Sequence, residues 1–138
     1  MALVKARVRA EGPQGTLEGV ALVDTGASIT LLDERAALEI GVRRTGRIVR
    51  LVVANGHELE GELVILNRLI VEDEELPGAH ALVVEFPARL MERLRSFGLC
   101  DWCIIGLATL ELLGLSPDTA EGRVRKVGAL FLWTERAG

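Results

Sequence analysis

The 138-residue chain has no tyrosine and only five aromatic residues, two Trp and three Phe. That is too few rings for a base-stacking surface. Positive charge is not in excess either: the formal net charge is −4, and its fourteen arginines are scattered. A strongly basic face is the footprint of nucleic-acid binding, so no nucleic-acid partner is expected. Histidine is limited to His57 and His80, and cysteine to Cys100 and Cys103. A structural zinc site needs about four ligands at set spacings, and these four residues do not have them. No apolar run approaches the 18 or more residues of a membrane span. The first ten residues, MALVKARVRA, break every apolar stretch with a charge, so no signal-like segment is read there. A cytoplasmic protein without membrane contact is the expectation.

What is present is an ordinary globular composition, 49% hydrophobic and 26% charged. Such a chain has enough apolar surface to fold rather than stay disordered. Its length suits one domain over residues 1–138. Val4 to Val8 alternates, meets the turn cluster Glu11-Gly12-Pro13-Gln14-Gly15, and resumes over Thr16 to Val23, which predicts a β-hairpin. Ile29 to Leu32 is a short apolar run. Asp33 is placed to N-cap a helix over Glu34 to Glu39 that stops near Gly41. Arg47 to Ala54 and His57 to Leu66 flank Asn55-Gly56, the strongest short hairpin signal, because both turn residues need positive φ.

Further strands are expected at Leu69 to Val71 and Ala79 to Glu85, separated by an acidic loop, Glu72 to Glu75, with Pro77-Gly78. Over Pro87 to Phe97 the period changes to that of a helix, with Leu90, Met91, Leu94 and Phe97 on one side. Trp102 to Ile105 reads as a buried strand and Ala108 to Leu113 as a helix ending at Gly114. Pro117 to Glu121 reads as a turn, and Val124 to Trp133 as closing strands.

One segment carries chemistry: Ala21-Leu22-Val23-Asp24-Thr25-Gly26-Ala27-Ser28. A carboxylate directly follows an apolar strand, on a turn loosened by glycine. Apolar walls there are expected to desolvate Asp24 and penalise its charged form, as suits a working acid or base. The same tripeptide also suits a plain β-turn. Cys100-Asp101-Trp102-Cys103 admits a disulfide or redox reading. A thioredoxin-like site would need a βαβ context that is absent, so two ordinary thiols, with Cys103 buried, are preferred.

Asp24-Thr25-Gly26-Ala27 after a hydrophobic pair resembles the active-site signature of the aspartic proteases. The single copy in a short chain points to the retropepsin-like (retroviral-type) branch. Ile104-Ile105-Gly106 and the helix after it resemble that branch's second motif, and the hairpin tip Ala54-Asn55-Gly56-His57 lies where the family carries its flap. The resemblance implies a mostly β, closed or partly open acid-protease-type barrel with short helices, homodimeric with a flap hairpin. It implies an aspartic endopeptidase acting on peptides or unfolded proteins. Asp24 of each subunit would supply one of two catalytic carboxylates, with no metal or other cofactor. Thr25 would bond across the dimer, Gly26 would let substrate backbone approach, and Ala27 would keep the turn small. Ile104, Ile105 and Gly106 would support the loop.

Two positions depart from the retroviral pattern. Ser28 stands where those enzymes have Asp, and Leu107 where they have Arg, so an ion pair that supports their dimer is missing. The Ala129 to Trp133 segment is a candidate replacement, with core filling as the alternative. The Pro87 to Phe97 helix reads as an insertion that could cover the core, extend the interface or restrict the cleft. Two competing functions stay open at this level: a non-catalytic peptide-binding or assembly module on the same fold, and an unrelated small β-barrel whose turn happens to read Asp-Thr-Gly.

Overall fold

The computed structural model describes residues 3–52, 56 and 58–127. The first hairpin joins β1 (Val4–Gly12) to β2 (Gly15–Val23), in register from Val4↔Val23 to Gly12↔Gly15. In β1, Val4, Ala6, Val8 and Ala10 are buried and the intervening Lys5, Arg7 and Arg9 are exposed. This is the period-2 pattern of a strand with one covered face. Strand β3 (Leu31–Asp33) leads directly into helix α1 (Glu34–Ile40). Asp33 caps this helix by accepting from Arg35 N–H, and Gly41 ends it at φ +72°, a left-handed C-cap.

The second hairpin is β4 (Arg43–Val52) and β5 (Glu58–Ile65), with a register shift between Arg44 and Ile48. Cross-strand pairs Arg44–Glu62 and Arg50–Glu60 line its exposed surface. The Arg44 hydrogen bond, followed by Gly46 N–H, holds the Glu62 carboxyl below its usual range. Strands β6 (Arg68–Val71), β7 (Glu74–Pro77) and β8 (His80–Val84) follow. Next come α2 (Ala88–Ser96), β9 (Cys103–Ile105), α3 (Leu107–Leu113), β10 (Leu115–Asp118) and β11 (Arg123–Lys126).

The strands form one sheet in the order β10-β11-β1-β2-β9-β3-β8-β5-β4, with β6 added beside β1 and β7 beside β6. Its two ends, β10 and β4, do not pair, so the sheet is open and the closed form of the expected barrel is not adopted. Two apolar clusters occupy its two faces. Ala21, Val23, Leu32, Ala81, Val83, Cys103 and Ile105 belong to the larger, which α1 and α3 cover through Ile40 and Leu110. The residues between them, Leu22, Leu31, Leu82, Val84 and Ile104, belong to the smaller. Helix α2 closes that second face with Leu90, Met91 and Leu94, so the inserted helix is a cover for the core.

Two expected loops are strand in part. The acidic segment turns at Glu72 and Asp73, but Glu74 and Glu75 open β7, which among the described residues pairs only with β6 and places Glu75 beside Arg68. The turn expected over Pro117 to Glu121 is found from Thr119 on, while Pro117 and Asp118 end β10, which among the described residues pairs only with β11. Charge and proline are the residues by which edge strands avoid further pairing, and they read as loop in sequence. Among the described residues, no helix is long and apolar enough to cross a membrane. The expected strand Ala129 to Trp133 lies outside the described residues.

Candidate active site

Strand β9 is central to the site. It pairs in parallel with β2 (Leu22↔Ile104, Val23↔Ile105) and antiparallel with β3 (Leu31↔Ile104, Leu32↔Cys103). The connection from β2 to β3, residues 24–30, must therefore arch over the end of β9 where it turns into α3. Asp24 opens that arch, and its N–H donates to Ile105 O at 2.9 Å. Ala27 N–H returns to Asp24 O at 3.0 Å, closing a tight turn. Gly26 N–H donates to Asp24 Oδ1 at 2.9 Å, fixing the carboxylate's orientation.

The far side of the arch is held by α3. Leu107 N–H donates to Ala27 O at 2.8 Å and Ala108 N–H to Ser28 O at 3.0 Å. The helix has no side-chain cap, so the loop's carbonyls satisfy N–H groups that its first turn leaves free. Gly106 is obligatory at this crossing. A Cβ there would overlap the carbonyl of Ile29 and the nitrogen of Thr30. Gly106 N–H donates to Thr30 Oγ1 at 3.0 Å, and Thr30 Oγ1 is 2.7 Å from Thr109 Oγ1.

The sequence-level candidates are thus brought together: Asp24, Thr25, Gly26, Ala27 and Ser28 form the arch, and Ile104, Ile105 and Gly106 form its support. The expected burial of Asp24 is not found, because it is exposed within one chain, as are Thr25, Gly26 and Ser28. The apolar residues beside it in sequence point along the sheet faces instead, Leu22 into one cluster and Val23 into the other. In the second hairpin, Gly56 has φ +84°, the left-handed conformation expected of its turn. Ala54, Asn55 and His57 lie outside the described residues. Toward the tip end of the hairpin, Val49, Leu51 and Leu59 pack on the cluster that holds Leu22, Leu31 and Ile104.

Other residues matter that sequence reasoning missed or undervalued. Thr30 and Thr109 are buried polar groups in apolar runs, and a threonine on the covered face of α3 was the available signal. Asp33 does more than cap: its carboxylate also accepts from the buried Phe86 N–H at 2.8 Å and pairs with Arg35 Nε at 2.6 Å. Arg35 continues to Asp101, which Arg95 of α2 meets at 2.6 Å. Burial alone would raise the Asp101 carboxyl, but Arg95 and Arg35 outweigh it and hold the group below its usual range. Burial raises Cys100, and Cys103 still further, which suits inert thiols. Among the described residues, no three His, Cys, Asp or Glu side chains gather as a metal site would require.

Residues 5–109 match the family model described as aspartyl protease, about three quarters of the chain. No curated protein matches. Among solved structures, the chain is similar to a retropepsin-like aspartic protease from Rickettsia conorii. The two share 18% identity over 86% of this chain and 90% of that one, with a TM-score of 0.44. The family match contains both the Asp24 arch and its Ile104–Gly106 support, and the chain belongs to the aspartyl protease family.

Proposed function

We propose that the protein is a homodimeric aspartic endopeptidase of the retropepsin-like branch, acting on peptides or unfolded proteins. The observation that carries this reading is the state of Asp24: an exposed carboxylate on a backbone fixed from both sides. Its one described hydrogen bond comes from its own loop. A single chain offers one such carboxylate, and the chemistry needs two. A second copy related by a two-fold axis supplies the other, and the partner also removes Asp24 from bulk water.

Two carboxylates that close share one proton and titrate as a pair. The ionised member takes a proton from a water molecule, whose oxygen attacks the peptide carbonyl. The protonated member donates to the carbonyl oxygen, where negative charge develops. The water's proton then passes to the leaving amine. Thr25 steadies the partner loop, Gly26 leaves room for substrate backbone, and Ala27 keeps the turn compact. The β4–β5 hairpin covers the bound peptide and excludes water. Among the described residues, strand β4 ends the sheet with an unpaired edge, which suits recognition of extended chains by backbone pairing.

The test compares wild type with Asp24→Asn on a denatured protein mixture from about pH 3 to pH 7, the range that brackets a shared-carboxylate titration. New chain ends are read by mass spectrometry. Cleavage by wild type alone is the expected result. Equal cleavage by Asp24→Asn overturns the assignment.

A further inference from the structure

Four consecutive residues, Gly106 to Thr109, hold the Asp24 arch at three points, Ala27, Ser28 and Thr30. Gly106 N–H donates to the Thr30 hydroxyl, Leu107 N–H to Ala27 O and Ala108 N–H to Ser28 O. The fourth contact is the Thr109 hydroxyl, 2.7 Å from that of Thr30. The second and third are backbone to backbone, which any residue supplies, and the first needs the Thr30 hydroxyl as acceptor. The fourth is made by side chains alone.

Both hydroxyls are hidden from solvent, Thr30 at 0% and Thr109 at 3% exposure. A valine would fill position 109 with nearly the same shape and no polar atom of its own to satisfy, and at position 30 it would also strand the buried Gly106 N–H, so packing alone does not explain the two hydroxyls. The hydroxyls do make a directional link. Thr30 Oγ1 accepts from Gly106 N–H and bonds Thr109 at once, which sets where β3 leaves the arch relative to the first turn of α3. Asp24 enters the same arch from Ile105 O. The carboxylate's placement is therefore referenced to one stretch, residues 105–109.

We infer that the Thr30–Thr109 hydroxyl pair is a positioning clasp for the Asp24 loop, with Thr109 a positioning residue that acts through Thr30 and Gly106 without touching substrate. The inference rests on the peptidase reading of Asp24. In that reading two arches meet across a dimer, and small displacements of each carboxylate are costly: misplacement by about 1 Å lowers rate by about 10²-fold.

The test uses Thr109→Val, Thr109→Ser, Thr109→Ala, Thr30→Val and the Thr30→Val/Thr109→Val double variant, with two readouts. In Thr109→Val, kcat is expected to fall about 10- to 100-fold with KM within about twofold of wild type. Thr109→Ser, which keeps the hydroxyl, is expected within about threefold of wild type, and the double variant no worse than Thr30→Val alone, since the pair acts as a unit. The second readout is amide hydrogen exchange. Leu107 and Ala108 are expected to exchange at least about tenfold faster in Thr109→Val, with β1 and β2 unchanged. Exchange does not depend on turnover, so an inert wild type defeats the peptidase reading while the clasp is still judged. If Thr109→Val fails to fold, Thr109→Ser and Thr109→Ala differ by one hydroxyl and decide the matter. A folded Thr109→Val with wild-type kcat and wild-type exchange overturns the clasp, as does a Thr109→Ser as impaired as Thr109→Ala.

Discussion

Two aspartates nine positions apart both stand at the end of an apolar strand, and the structure treats them oppositely. Asp33, at the end of β3, is buried and spends its carboxylate on the backbone N–H of Arg35 and of Phe86 and on the Arg35 guanidinium. These contacts tie α1 to the segment that enters α2. Asp24, at the end of β2, is exposed, and among the described residues its carboxylate meets only Gly26 N–H of its own turn. Its backbone is as well fixed as that of Asp33, through Ile105 O. The difference teaches how to separate an acid that serves the fold from one left available for chemistry. In the first the charge is consumed by the fold, and in the second the fold holds the backbone and leaves the charge unspent.

Substitutions at the two positions sharpen the contrast. Asp24→Asn is expected to lower cleavage by about 10²- to 10⁴-fold, the usual contribution of a positioned acid or base. Its unfolding free energy should fall by no more than about 0.5 kcal/mol, because the carboxylate's one described bond is to its own loop. Peptide cleavage and urea unfolding measured on one preparation check both halves. Gly106→Ala attacks the shared support, because the new methyl overlaps the Ile29 carbonyl. A loss of about 3 kcal/mol in urea is expected, at the upper end for overpacking. Unchanged stability would mean that the crossing is looser than described.

Asp33→Ala is the converse of the Asp24 variant. It removes a helix cap and leaves the buried Phe86 N–H without its partner, a loss of about 2–3 kcal/mol. In the fraction that stays folded, KM and the pH profile of cleavage should match wild type. A shifted profile would blur the distinction between the two aspartates. The smallest effect concerns Asp101. Its carboxyl is held below the usual range in the folded state, with Arg95 and Arg35 outweighing burial. It therefore adds stability above the unfolded carboxylate's pKa, and that stability is lost as pH falls through the lower folded value, below about pH 4. Asp101→Asn should lower the unfolding free energy in urea at neutral pH by less than about 1 kcal/mol, the measure of an ion pair whose arginines are exposed. It should also give a shallower fall on acidification than wild type.

Much of this arrangement was legible in the chain. Alternation gave β1 and β2, Asp33 and Gly41 bracketed α1, and Pro87 and Gly98 bracketed α2, because each signal is local. Asp24-Thr25-Gly26-Ala27 and Ile104-Ile105-Gly106 were recognisable as a pair. What escaped depends on contacts distant in sequence. Glu74 and Glu75 of β7 and Pro117 and Asp118 of β10 read as loop because charge and proline mark edge positions, which only the pairing reveals. Asp24 was expected to be walled by its apolar neighbours, yet Leu22 and Val23 turn to opposite faces of the sheet and leave it open. The full role of Asp33 needed Phe86, 53 residues away, and that of Thr109 needed Thr30, 79 residues away.

The central claim is that an exposed Asp24 becomes a working site only when it faces Asp24 of a second copy. Mixing tests this directly. A fixed amount of wild type is unfolded and refolded with an equal amount of Asp24→Asn, and cleavage is compared with the same wild type refolded alone at equal total protein, made up with an inert carrier. Random pairing places half of the wild-type chains in mixed dimers, so activity should fall to about half, and further as the variant is increased. Activity unaffected by any excess of the folded variant would contradict the account, because it would mean that each chain completes its site alone.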